Sequence, residues 1–194
     1  MTGIIIAGGK SRRMKKNKLL LQIDKKLVIE TIVEKLKIVF DDVFIICNSF
    51  LDCRFSGVRL VKDMVSEKGP LGGIYTGLSV SQSKYNFICG CDMPFLNIDL
   101  IQYMVRKKTD YNVLIPKYGD RFEPLHAVYS KSIIPVIKEK IEQGTCSIQS
   151  IFPKVKVKYI TEKEMEKFGN WQEFFFNINT PFHLKKAIRI VNNR

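Results

Sequence analysis

The sequence predicts an α/β fold: one domain over residues 1–194, with a doubly wound, mostly parallel sheet flanked by helices. Three observations lead there. Short β-branched apolar runs recur at 2–7, 42–48, 57–63 and 85–92, and runs that are apolar on both faces suit strands covered by helices on both sides. Segments of helical spacing separate them, and strand alternating with helix is the pattern of a parallel sheet. Glycines or an aspartate follow several of the runs, at 8–9, 63 and 92. That is where open α/β sheets carry their ligand loops.

The elements follow in order. Residues 2–7 are a short buried strand, and 8–18 a loop. From Leu27 to Phe40, the apolar positions Ile29, Ile32, Val33, Leu36 and Phe40 keep helical spacing. DVFIICN (42–48) is a second buried strand and GVRLVKD (57–63) a third. A helix is expected over 74–80, just after GPLGG. YNFICGCD (85–92) is a strand ending on an aspartate, and NIDLIQYMVRK (97–107) a helix with Asn97 as N-cap. The second half is less regular. NVLIPKY (112–118), PLHAVYS (124–130) and the alternating KVKVKYI (154–160) are strands. SIIPVIKEKIEQG (132–144) is a helix with Pro135 in its first turn and Gly144 as its stop. In the closing helix over 179–191, Thr180 caps and Pro181 takes the first helical position. Leu184, Ala187, Ile188 and Val191 give its inward stripe. The architecture is Rossmann-like, without repeat or linker.

Composition narrows the function. Apolar residues make up 45% of the chain, enough for a substantial core. No apolar run reaches the roughly 18 residues of a membrane span, and MTGIIIAGG lacks the basic flank of a signal peptide. A cytoplasmic protein is expected. The net charge of +13 favours anionic partners, although a lysine-rich background composition would also produce it. The five cysteines, at 47, 53, 89, 91 and 146, form neither a disulfide framework nor a zinc set; buried, reduced thiols are expected.

Four segments could carry chemistry. Gly8 and Gly9 follow the first strand, and six of the nine residues from Lys10 to Lys18 are basic. Backbone without Cβ atoms can cradle phosphate oxygens, and the lysines and arginines offset their charge, so the loop suits a polyphosphate. It is neither a Walker A nor a G-x-G-x-x-G sequence, and a nucleic-acid patch is the competing reading. In CGCDMPF (89–95), Asp92 stands before Pro94 at a strand end. It suits a hard cation such as Mg²⁺, or else a simple turn. In 62–78, Asp63 ends a strand and Gly69, Gly72 and Gly73 surround a turn into a helix, either wrapping a base or merely turning. His126 lies in an apolar strand, where a packed, hydrogen-bonded histidine is commoner than a catalyst.

Together these segments resemble the molybdenum cofactor guanylyltransferases. The family's L-A-G-G-x-S-x-R-M-G followed by lysine reads IAGGKSRRM here, with Lys18 in the lysine position. D…GPLGG matches Asp63 and Gly69–Gly73, CD-x-P matches CDMPF, EPLHAVYS matches 123–130 and N-x-N-T-P matches 177–181. Lys15 replaces the usual glycine, Ile6 the usual leucine, and Asn48 is the nearest counterpart of the strand-two asparagine.

The resemblance implies a nucleotidyltransferase fold, with a nucleotide-binding N-terminal half and an acceptor-binding C-terminal half. It implies GMP transfer from GTP to a terminal phosphate of molybdopterin, with Mg²⁺ as cofactor and pyrophosphate leaving. Arg13, Lys18 and Asp92 would be catalytic, with Asp92 on the metal. Ile6, Ala7, Gly8, Gly9, Lys18, Asn48, Asp63, Gly73 and Asp92 would bind the nucleotide, Gly9 leaving room for a purine. His126, Asn177 and Asn179 would face the acceptor. Acceptor molybdoenzymes or their chaperones would be downstream partners; no membrane or nucleic acid is implied. Two alternatives remain open: a related nucleotidyltransferase acting on a sugar phosphate or cobinamide phosphate, and a basic nucleic-acid-binding module.

Overall fold

An unbroken apolar run along the first strand decides the layering, because successive side chains point to opposite faces. In β1 (Thr2–Ile6), Ile5 packs on one side of the sheet and Ile4 and Ile6 on the other, all three buried. A strand covered on both faces must be central. The structure, a computed structural model, describes residues 1–7, 20–48, 55–65, 67–107 and 110–193.

The chain continues through a small hairpin, β2 (Gln22–Ile23) and β3 (Lys26–Leu27), into α1 (Val28–Val39). Then come β4 (Asp42–Cys47), β5 (Arg59–Lys62), α2 (Gly69–Val80), β6 (Tyr85–Gly90) and α3 (Ile98–Arg106). The second half holds β7 (Val113–Tyr118), β8 (Arg121–Phe122), β9 (His126–Ser130), α4 (Ile134–Glu142) and β10 (Val157–Ile160). Two single-turn helices, α5 (Glu162–Met165) and α6 (Trp171–Phe174), lead to α7 (Pro181–Asn192).

One sheet runs β10-β7-β9-β6-β1-β4-β5, with β8 paired to β7. β1 pairs in parallel with both β4 and β6, β4 with β5 and β7 with β10; β9 is antiparallel to β6 and β7. The mostly parallel, doubly wound sheet expected from the sequence is therefore present. Residues of α1, α3 and α7 cover the face of Ile5, Ile45 and Phe87; those of α2 and α4 cover the face of Ile4, Ile46 and Ile88. The caps hold as well. Asn97 Oδ1 accepts from Leu100 N at 2.8 Å, and Thr180 Oγ1 from His183 N at 3.2 Å.

The structure corrects several expectations. GPLGG is not a turn before a helix but the first turns of α2 itself. Pro70 is compatible with the first turn, and the glycines let the helix approach β1 closely: a Cβ on Gly73 would lie 2.8 Å from Ile6 Cγ2, and one on Gly77 2.8 Å from Ile4 Cγ2. Packing thus outweighs glycine's poor helix propensity, about 1 kcal/mol per residue. The 85–92 strand stops at Gly90, so Asp92 stands in the turn beyond it. On α7 only Ala187 of the expected stripe is fully buried. Cys47, Cys89 and Cys91 are buried thiols, whereas Cys146 is exposed; Cys53 lies outside the described residues.

Candidate active site

Four parallel strands, β1, β4, β5 and β6, end at one edge of the sheet, and backbone bonds extend the ladder past three of them. Ala7 N donates to Ile46 O (2.8 Å), Asp63 N to Cys47 O (3.0 Å) and Cys91 N to Ile6 O (3.1 Å). These bonds bring Ala7, Asn48, Asp63 and the Asp92 turn to a common edge. Ile6 is buried beneath it, and Asn48 is exposed. Gly8, Gly9, Arg13 and Lys18 follow β1 in sequence and lie outside the described residues.

Asp63 is nearly buried and fastens β5 to α2. Its Oδ1 accepts from Thr76 Oγ1 at 2.8 Å and from Val65 N at 3.1 Å, while Thr76 Oγ1 accepts from Met64 N at 3.0 Å. Gly73, expected at the nucleotide, is buried with its Cα turned to Ile6, the geometry of a packing glycine.

Asp92 is 8% exposed. A Cβ on Gly90 would lie 2.8 Å from Asp92 Oδ1, so the carboxylate folds over a position that only glycine leaves open. The Asp92 carbonyl accepts from Ile178 N at 2.9 Å, which brings Asn177 and Asn179 alongside. Asn177 Nδ2 donates to Phe175 O at 2.8 Å, and Asn179 N to His183 Nδ1 at 3.3 Å. Lys35 of α1 secures the same turn, donating to Pro94 O (3.1 Å) and Leu96 O (2.9 Å). No cluster of three or more His, Cys, Asp or Glu exists among the described residues. A cation here would rest on one carboxylate together with substrate phosphate oxygens and water, the ligand set that suits Mg²⁺.

Glu123 stands near Asp92 on the far side of β6. It is half-buried, and the Tyr118 hydroxyl donates to its Oε1. Burial pushes its carboxyl above the ordinary value; the Tyr118 bond and the Arg121 charge act downward, and the Asp92 charge upward. Sequence reasoning did not single out Glu123, Tyr118 or Lys35. Only Glu123's place in FEPLHAVYS hinted at a role.

His126 lies elsewhere. It is fully buried, edge-on to Phe87 (5.1 Å) and Phe175 (5.0 Å), and neither ring nitrogen has a hydrogen-bond partner among the described residues. It is packed, as the commoner reading expects, with no hydrogen-bond partner among the described residues, and it is not exposed at the surface of this structure. Burial lowers its pKa to about 3. The unfolded chain takes up that proton near pH 6.5 and the folded chain does not, so stability present above this range is lost as pH falls. Between pH 7 and pH 5 the loss should be roughly 2 kcal/mol. Urea melts at both pH values check this: His126→Phe should flatten the pH dependence relative to the parent.

Residues 3–155 match the model of the MobA-like NTP transferase domain. The "Probable molybdenum cofactor guanylyltransferase" of Pelotomaculum thermopropionicum is 35% identical over 192 residues, covering 99% of this chain and 94% of that protein. The "Molybdenum cofactor guanylyltransferase" of Desulfosudis oleivorans is 35% identical over 189 residues, covering 96% and 94%. Among solved structures, molybdopterin-guanine dinucleotide biosynthesis protein A from Archaeoglobus fulgidus superposes with a TM-score of 0.89 at 27% identity, covering 100% of both chains.

Proposed function

The chain belongs to the MobA-like NTP transferase family, and from that premise we propose that it transfers GMP from GTP to molybdopterin, releasing pyrophosphate. It is a nucleotidyltransferase. The observation that carries the reading is the row of strand ends: Ala7, Asp63 and the Asp92 turn share one edge, with the acceptor-side segment 177–179 bonded to Asp92.

The chemistry is an in-line displacement. An acceptor phosphate oxygen attacks the α-phosphorus, the bond to the β-phosphate oxygen breaks, and pyrophosphate leaves with that electron pair. Asp92 would hold Mg²⁺, which when bound supplies Lewis acidity at the α-phosphate. Gly8 and Gly9 cradle the triphosphate, while Arg13 and Lys18 offset charge on the leaving pyrophosphate. Asn48 contacts the nucleoside. Asp63 acts one step back, fixing the β5–α2 junction through Thr76. Asn177 and Asn179 orient the acceptor beside Asp92. Positioning and fixed charge provide most of the acceleration in such a transfer, so no general base is required.

Cytoplasmic placement belongs to the same proposal, as do acceptor molybdoenzymes or their chaperones as recipients of the product. Among the described residues, no helix is long and apolar enough to cross a membrane. The test is incubation with each NTP in turn, Mg²⁺ and, in separate arms, molybdopterin, a sugar phosphate or cobinamide phosphate, followed by assay of pyrophosphate and of the nucleotidyl product. Product with GTP alone supports the reading; turnover only with a sugar phosphate or cobinamide phosphate acceptor refutes it.

Lys18→Ala should lower kcat/KM for GTP at least about tenfold, because a charge-assisted contact contributes roughly 1.5–3 kcal/mol. Its melting temperature should hardly move if the side chain serves the nucleotide and not the core, because substitutions away from packed features stay within about 0.5 kcal/mol. Steady-state kinetics beside a thermal melt distinguish a phosphate contact from a solvated lysine, whose loss would leave kcat/KM intact.

A further inference from the structure

We propose that Glu123 is the group that reads the pterin ring of the acceptor, its carboxylate receiving the paired N–H donors of the 2-amino-4-oxo edge. The inference rests on the guanylyl-transfer reading and extends it to a specificity-determining residue.

Position comes first. β6 divides the sheet: β1, β4 and β5 lie on one side, with Ala7 and Asp63 just past the ends of β1 and β5, and β9, which follows Glu123, lies on the other. Asp92 stands at the divide. With the nucleotide on the β1–β4–β5 side, backbone bonds from Gly90 N to Leu125 O (3.2 Å) and from His126 N to Glu123 O (3.0 Å) set the Glu123 turn beside the end of β6, on the acceptor side of the Asp92 turn.

Its surroundings come second. The Tyr118 ring packs in a three-ring cluster, tilted against Trp171 (centroids 5.0 Å apart) and stacked parallel on Phe175 (5.9 Å), which themselves lie 6.3 Å apart, so the hydroxyl that donates to Glu123 has a fixed origin. That bond uses one lone pair of Oε1 and leaves the carboxylate able to accept from a ligand. No ion pair among the described residues involves Glu123. A half-buried carboxylate set near Asp92 opposes folding through like-charge repulsion and lost hydration. A half-buried carboxylate with unused lone pairs is suited to the donors of a ligand.

The ligand chemistry comes third. A carboxylate offers two parallel acceptors and pairs best with two parallel donors. The pterin ring presents N3–H and its 2-amino group in that arrangement. Guanine presents the same edge through N1–H and its 2-amino group, so the test must separate the two.

The experiment titrates full-length protein with three phosphate-free probes: 6-hydroxymethylpterin by its fluorescence, and guanosine and lumazine by calorimetry. Lumazine carries an oxo group in place of the 2-amino group. Glu123→Gln keeps the side-chain shape and removes the repulsion with Asp92, so it should melt no lower than the parent. It should weaken pterin binding at least about tenfold and leave guanosine and lumazine within about twofold. Tyr118→Phe, which retains the ring, should weaken pterin binding by a smaller factor through loss of orientation. Unchanged pterin affinity in both variants overturns the proposal. So does a loss of guanosine affinity equal to that for pterin, which assigns Glu123 to the base of GTP. Parental turnover separates the two readings. Absence of dinucleotide formation from GTP and molybdopterin refutes guanylyl transfer, whereas a normal parent with unaltered pterin affinity in Glu123→Gln refutes only the role of Glu123.

Discussion

Asp92→Asn is expected to fold normally and to lose turnover by at least about a hundredfold, the scale on which removing one group that stabilises transition-state charge is felt. The fold should survive for three reasons. The substitution preserves shape. The bond from Ile178 N goes to the main-chain carbonyl of residue 92, which the amide leaves in place. The nearby Glu123 loses a like-charge neighbour. Turnover should fall because a neutral amide is a far weaker ligand for a hard cation than a carboxylate. Pyrophosphate release should be measured across a Mg²⁺ titration, beside a thermal melt. Partial recovery at high Mg²⁺ would mark a weakened metal site. Parental activity at limiting Mg²⁺ would remove Asp92 from the metal, and a collapsed melting temperature would make its role structural.

The framework was legible because β1, β4 and β6 are buried on both faces. Such strands write themselves as unbroken runs like GIII, VFIIC and FIC, with glycines or an aspartate beyond the end. Asp63 could be placed next to its strand end from those runs alone, and Asp92 to within two residues of one. What stayed hidden depends on contacts distant in sequence. Nothing around Gly73 signals that it faces Ile6, because glycine at a turn and glycine at a helix–strand contact look the same in one dimension. The same holds for Lys35, whose partners are backbone carbonyls at 94 and 96, and for Tyr118, whose hydroxyl meets Glu123 across a hairpin. β2, β3 and β8 are two residues long, too short for periodicity to register. His126 was judged by residue type, and type cannot say whether a buried imidazole finds a partner.

Replacing both Gly73 and Gly77 with valine should lower the melting temperature by on the order of 10 °C, without a selective loss of GTP affinity in the protein that remains folded. Both positions face β1, and a Cβ at either would stand 2.8 Å from a Cγ2 of Ile6 or Ile4. Those methyls branch from the Cβ of side chains buried in a central strand, so they cannot swing aside as the end of a lysine could. The helix must move outward or the strand must bend, and overpacking of this kind typically costs about 1–3 kcal/mol per site. Alanine alone should cost less, because its better helix propensity returns about 1 kcal/mol. The contact can be isolated by a cycle. Ile6→Ala opens a cavity, and Gly73→Ala places a methyl against it, so the double variant should be less destabilised than the sum of the singles. Additive effects would mean that the two residues do not meet. Kinetics carry the functional side: Gly73→Ala, assayed well below its melting temperature, should keep the parental KM for GTP. A raised KM with an unmoved melting temperature would return Gly73 to the nucleotide and take it out of the seam between α2 and β1.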